Sequence, residues 1–225
     1  MAFERQIMPF QKPGRAQLTS DMAGIGMNFD ARPNREANVE DTIFFASVEG
    51  MDKGDLRTLS VLTMWLESYS PRVIADRLTS LVAKEGSNRV RAYWASIARW
   101  KKSDSRFRRM ASFYRGKKVD LLESGTDFLI RKNGEDSRFA SGPLRVPRKT
   151  LRRREMDVIP PAKVQKSNLF IRYRIMIGPT YRSDIWALLE MHPDLSPAEM
   201  ARRVYASYPT AWHTRKDWEL LDGHQ

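Results

Sequence analysis

From residue 55 onward apolar residues recur at helical spacing. In "LRTLSVLTMWLESY", Leu59, Leu62, Leu66 and Tyr69 fall at i, i+3, i+7 and i+10, with Trp65 beside them, which is the stripe of an amphipathic helix. Ser70-Pro71 is a helix-start signal, and "VIADRLTSLVAKE" then places Ile74, Leu78, Leu81 and Val82 on one face until Gly86 stops it. Ser87 and Asn88 are suited to cap "RVRAYWASIARW", whose Val90, Trp94 and Ile97 or Ala98 form a third stripe. Three short helices joined by tight turns make a tri-helical unit, and "RFRRMASFY" offers a fourth helix.

The pattern then changes. "KVDLL" and "TDFLIRKNGED" are short and β-prone, and Asn133-Gly134 in the second of them is a hairpin signal, because both residues tolerate positive φ. "NLFIRYRIMIGP" alternates Leu169, Ile171, Tyr173, Ile175 and Ile177 with other residues, the period of a half-buried strand. "SDIWALLEMH" reads as a helix. In "LSPAEMARRVYASYPTAWHTRKDW", Ser196, Pro197 and Glu199 have the spacing of a capping box at a helix start, and Pro209-Thr210 begins a second helix after a tight turn. The first 54 residues are poor in periodicity, and "DTIFFASVEG" within them reads as a strand or docking segment.

The predicted fold is mostly α with a small β-wing: a winged-helix-like N-terminal module and a C-terminal helix-turn-helix-like module. The expected divisions are a partly extended arm over 1–54, a basic winged-helix-like domain over 55–142, a basic linker over 143–167 and a helix-turn-helix-like domain over 168–225.

Charge decides what such modules would touch. Thirty-nine Lys and Arg against 27 Asp and Glu leave a net charge of +12, a balance that favours a polyanionic partner. The excess is clustered. Residues 86–118 carry +10 and residues 131–154 carry +7, whereas seven basic and seven acidic residues cancel over 168–225. Phosphate contacts dominate nucleic-acid affinity, so the basic middle is the expected double-stranded DNA surface. Asn88, Arg89 and Arg91 open the third helix, the one that enters the major groove in a winged helix, and their types suit base contacts. Arg99, Lys101 and Lys102 lie further along the same helix and at its end, Arg131 and Lys132 fall at the expected wing tip, and Arg152 and Arg153 lie in the connector. If the last module also binds DNA, Tyr208, Thr210 and His213 are its expected groove residues. Tyr93, Trp94, Trp100, Phe107, Phe113 and Tyr114 interleave with the cations; core packing is the stronger reading of them, stacking on single-stranded bases or RNA the other.

Other chemistry is thinly signalled. With 41% hydrophobic residues a packed core is expected, and with no cysteine there are no disulfides or thiolate sites, which fits a reducing, cytoplasmic setting. No apolar run reaches the ~20 residues of a membrane span, and "MAFERQIMPFQKPGR" lacks a signal-peptide core. His192, His213 and His224 have no metal-ligand spacing, and no Walker loop, G-x-S-x-G or HExxH is present. No catalytic residue, metal or cofactor is expected, and the chain is not read as an enzyme.

Two resemblances bear on function. "EMARRVYASYPTAW" resembles the helix-turn-helix of bacterial regulators: Glu199, Met200, Ala201, Arg202 and Arg203 fill the opening places, and Val204, Ser207 and Thr210 also match. Tyr205 stands where that turn usually has Gly, and Ala206 and Ala211 replace larger apolar residues. The order of features (tri-helical unit, hairpin, basic connector, separate C-terminal domain) is similar to the AbiEi type of antitoxin. That resemblance implies an N-terminal winged helix on operator DNA and a C-terminal domain facing a nucleotidyltransferase-like toxin, with an oligomer compatible with both. The other readings are a protein-binding adaptor and an RNA or single-strand binder.

Overall fold

Helix α2 (Val39–Asp52) is the element around which the first part of the chain is built. Asn38 caps it, its side chain accepting from the Asp41 N–H at 3.1 Å, and Glu40 and Asp41 sit in the first turn, where carboxylates favour the helix dipole. From Val39 to Met51 only Asp41 escapes full burial. The sequence pattern predicts a strand or docking segment here, and the segment is a helix. Its neighbours surround it, so apolar residues occupy every face and the 3.6-residue period vanishes from the sequence. At Gly50 the approach is tight: a Cβ there would lie 2.7 Å from the Leu59 Cβ on the next helix.

The computed structural model describes residues 12–221, so the first eleven residues of the expected arm and the last four of the chain lie outside the described residues. Among those described the fold is mostly helical. α1 (Arg15–Gly24) packs on α2, so within the described part of the expected, partly extended arm two helices are packed into the fold. α3 (Leu56–Tyr69), α4 (Ala75–Lys84) and α5 (Asn88–Trp100) form the expected tri-helical unit, with Asp55 capping α3 and Ser87 capping α5. The fourth helix is a 3-10 segment, Ser105–Ser112.

The expected hairpin is not formed. β1 (Val119–Asp120) pairs with β2 (Leu144–Arg145) in parallel, and the residues between them contain a helix, α6 (Thr126–Asn133). Gly125 and Gly134, with φ of 77° and 81°, bound α6 at its two ends. The Asn133-Gly134 signal is therefore a helix C-cap, which uses the same tolerance of positive φ as a hairpin turn. Residues 143–167 place Leu144, Val146, Leu151 and Val164 in the first core, so this segment is anchored to the fold at several points. It contains a single 3-10 turn, Glu155–Asp157, and the short helix α7 (Pro161–Val164).

α8 (Leu169–Ile177) replaces the expected strand over 168–179. The alternation is real, but the buried residues are Phe170, Ile171 and Arg174, at helical spacing, and Asn168 caps the helix by accepting from the Ile171 N–H at 2.9 Å. α9 (Tyr181–Met191), α10 (Pro197–Val204) and α11 (Tyr208–Leu221) complete a second apolar cluster from Phe170, Ile185, Leu188, Met200, Val204 and Ala211. The helix, turn, helix over α10 and α11 is as expected.

The two clusters meet at a buried set of charges. Arg174 is fully buried. Its Nη1 and Nη2 donate to the two Glu40 oxygens at 2.8 and 3.0 Å, its Nε and Nη2 to the two Asp184 oxygens at 2.7 and 2.6 Å, and Nη1 also to the Arg72 carbonyl at 3.1 Å. Glu40 further accepts from the Ile74 N–H at 2.8 Å. One turn away Arg77, also buried, pairs with Asp41 and lies 3.2 Å from the centre of the Tyr205 ring, whose hydroxyl donates to Asp41 at 2.8 Å. Burial raises the Asp41 carboxyl above the ordinary range, with Arg77 and Tyr205 pulling it back. Tyr205 has φ of 60°, the left-handed conformation that glycine usually supplies in this turn. The strain costs about 1–2 kcal/mol, and the cation–π and hydroxyl contacts made only by a tyrosine offset it.

Breaking a buried pair leaves an uncompensated charge, at a cost of about 3–5 kcal/mol. Arg174→Ala is expected to lower the unfolding free energy by that amount in a urea titration. The triple replacement Glu40→Gln, Arg174→Met, Asp184→Leu is expected to recover most of the loss, because no charge is then stranded.

Candidate nucleic-acid interface

Beyond the arginines held by carboxylates, such as Arg174 and Arg77, some arginines of this fold are engaged by backbone carbonyls and others face solvent. Arg89 is engaged by carbonyls. Its Nε donates to the Met51 carbonyl at 3.0 Å, Nη1 to Asp120 at 3.1 Å and Nη2 to Leu121 at 2.9 Å, tying α5 to the end of α2 and to β1. A guanidinium so engaged has little left for a guanine edge. Arg91 donates to the Ala83 carbonyl at 3.3 Å and Arg99 to Ser141 at 3.1 Å. Asn88 is exposed at the first position of α5. Arg106 is likewise occupied, by Asp104 and the carbonyls of Ser70 and Val73.

A second group lies along α3. Leu56, Ser60, Met64 and Glu67 share one face of that helix, at i, i+4, i+8 and i+11. The segment over 149–157 runs beside this face. Lys149, Arg152 and Arg154 line a groove with Leu56, Arg57 and Ser60; the Arg154 N–H donates to the Met64 sulfur at 3.2 Å; Arg153 pairs with Glu67 at 2.6 Å. At the same end Lys101 donates to the Glu67 carbonyl at 3.5 Å and sits 4.4 Å from the Trp100 ring. Burial lowers the Lys101 pKa, against the upward pull of Glu67 and Asp104. Lys102 beside it is exposed. From Leu56 to Glu67 the strip spans about 16 Å of helix axis.

Among the described residues Lys102, Lys149, Arg152 and Arg154 make no ion pair, and neither do the exposed Arg108, Arg109, Arg115, Lys117 and Lys118 beyond the 3-10 segment. Arg131 and Lys132 are exposed in the last turn of α6, Lys132 standing 6.0 Å from the Phe128 ring. The two are brought near the strip's start, since the Arg148 N–H donates to the Gly134 carbonyl at 2.9 Å.

The structure therefore gathers Arg152, Arg153, Lys101 and Lys102 of the expected set on one face and turns Arg89, Arg91 and Arg99 to structural work. The sequence reading missed Arg57, Lys149 and Arg154. The "RRR" at 152–154 was a visible signal for the last. Arg57 carried none, and Lys149 is marked only by its left-handed φ of 69°. In the last module Tyr208 and His213 are exposed, while Thr210 is held in the helix-start turn by Ser207, whose hydroxyl lies 2.8 Å from its own. Tyr93, Trp94 and Phe107 are fully buried and closed to base stacking.

Among the described residues no group of His, Cys, Asp and Glu is arranged to hold a metal ion, and no helix is long and apolar enough to cross a membrane. Compared with family models, curated proteins and solved structures, the chain matches none.

Arg89→Ala is expected to act on stability, by about 2–3 kcal/mol, since three carbonyls lose a charged donor. Duplex affinity per folded molecule is expected to change less than threefold, as checked by unfolding and fluorescence anisotropy on one sample.

Proposed function

We propose that this protein is a DNA-binding regulator that holds the backbone of duplex DNA with the basic face along α3. The observation that carries the reading is the set of cations without carboxylate partners among the described residues: Lys149, Arg152 and Arg154 in the groove beside the start of α3, and Lys102 exposed next to the Lys101 that reaches Glu67. Four such cations can neutralise up to about four backbone phosphates. Arg108, Arg109, Lys117 and Lys118 extend the positive field beyond the strip's end. Such contacts fix position and carry no sequence information by themselves. Base reading falls to exposed side chains near the strip, Asn88 among them. The order of α3, α4 and α5 supports a tri-helical unit of the winged-helix kind, while the expected wing hairpin is not formed. The antitoxin assignment adds a protein partner, a nucleotidyltransferase-like toxin, to the C-terminal unit.

Duplex binding measured by anisotropy between 50 and 300 mM salt is expected to give a slope of log K against log salt of about −3 to −4, for up to about four phosphates. No binding at 50 mM salt contradicts the reading, and tighter binding to a single strand than to the duplex moves it to RNA or single-stranded DNA.

An adaptor role is the second reading. Among the described residues, seven of the nine exposed large hydrophobic residues lie on α8 and α11: Ile175, Met176, Ile177, Tyr208, Trp212, Leu220 and Leu221. A stoichiometric protein complex that survives Arg152→Ala with Arg154→Ala favours it.

A further inference from the structure

The groove at the start of α3, about 410 Å³, is more specialised than the rest of the strip. Four cations, Arg57, Lys149, Arg152 and Arg154, line it against a single carboxylate. That carboxylate, Asp157, is buried and already taken by Arg57 at 3.2 Å, so the remaining three cations face the space without an anion among the described residues. Ser60 donates its hydroxyl to the Leu56 carbonyl at 2.6 Å and keeps its lone pairs, and Leu56 is the one apolar residue of the lining. The walls are held firmly. The Arg148 N–H donates to Gly134 at 2.9 Å, the Thr150 N–H to Pro147 at 3.1 Å, and the Arg154 N–H meets the Met64 sulfur. Between these anchors Lys149 is kept at φ of 69°, a conformation a side-chain-bearing residue adopts at a cost.

We propose that this groove is a discrete site for one phosphate oxyanion, with Lys149 and Arg154 as its principal ligands. The proposal rests on the nucleic-acid reading and sharpens it, since on that reading the oxyanion is a duplex backbone phosphate. Two planar guanidinium forks and one ammonium lining one groove match a tetrahedral anion with several acceptor oxygens. Phosphate chemistry has a second source, free phosphate, which the experiment separates.

The test compares the full chain with Lys149→Gly/Arg154→Gln. Glycine accepts the left-handed backbone, so the turn is kept while the cation is lost. Lys163→Gln/Lys166→Gln, on and just after α7, removes the same charge elsewhere. Each protein is titrated with a 20-base-pair duplex over a range of salt, and its unfolding midpoint is followed in inorganic phosphate against chloride at matched ionic strength. The groove variant is expected to weaken duplex binding about tenfold and reduce the salt slope by about 2, the control by less than threefold. Inorganic phosphate is expected to raise the midpoint of the parent and not of the groove variant. If the duplex binds but the groove variant behaves as the control, the site is overturned and the nucleic-acid reading stands. If no duplex binds yet phosphate stabilises the parent alone, the site stands with free phosphate as its source and the nucleic-acid reading falls. If neither occurs, both fall.

Discussion

Arg174 sits without solvent between Glu40 and Asp184, and the relation of the two halves of the chain depends on it. Glu40 is in the first turn of α2, Asp184 in the first turn of α9, and Arg174 on α8 between them in sequence. Three desolvated charges can stay together only if every donor finds an acceptor, and five hydrogen bonds to carboxylates and the Arg72 carbonyl meet that demand. Little freedom remains for one cluster to slide on the other. The second pairing, Arg77 with Asp41 under the Tyr205 ring, brings α10 and the turn after it into the same arrangement. A tyrosine in a turn position that glycine usually fills is thus a consequence of where that turn sits, against another part of the fold.

A rigid frame matters because the chain is rich in cations that repel one another. The fold answers in two ways. Some arginines are engaged by carbonyl oxygens, as the half-buried Arg89 and Arg91 and the exposed Arg99 and Arg106 are, which gives the backbone donors and ties up part of each guanidinium. Other cations, Lys149, Arg152 and Arg154, line the start of α3 with no carboxylate partner among the described residues. A stable surface made this way stores repulsion that a polyanion relieves on binding. The neutral C-terminal unit, with Tyr208 and Trp212 exposed, is the less suited half for that task.

The sequence revealed the tri-helical unit and the α10–turn–α11 unit well, because their helices carry buried stripes and most have a capping side chain at the start. It misled where burial follows neither simple period. α2 is buried on all sides, so "DTIFFASVEG" has no polar face to announce a helix. α8 alternates in composition, yet the residue its burial depends on is Arg174, which looks polar in any pattern until Glu40 and Asp184 are seen around it. Asn133-Gly134 was a correct signal for positive φ with the wrong element attached. Among the candidate site residues, residue type and clustering located the basic region. They could not tell an arginine that holds carbonyls from one that faces solvent, since that depends on contacts such as Arg89 to Leu121, 32 positions apart in the chain.

The most direct measurement is hydrogen exchange of the full chain with and without saturating duplex. The account predicts slowed exchange over residues 148–157 and 100–103 and at the start of α3, with α11 unchanged. Protection confined to the first turn of α5 or to α11, with the strip along α3 untouched, would contradict it.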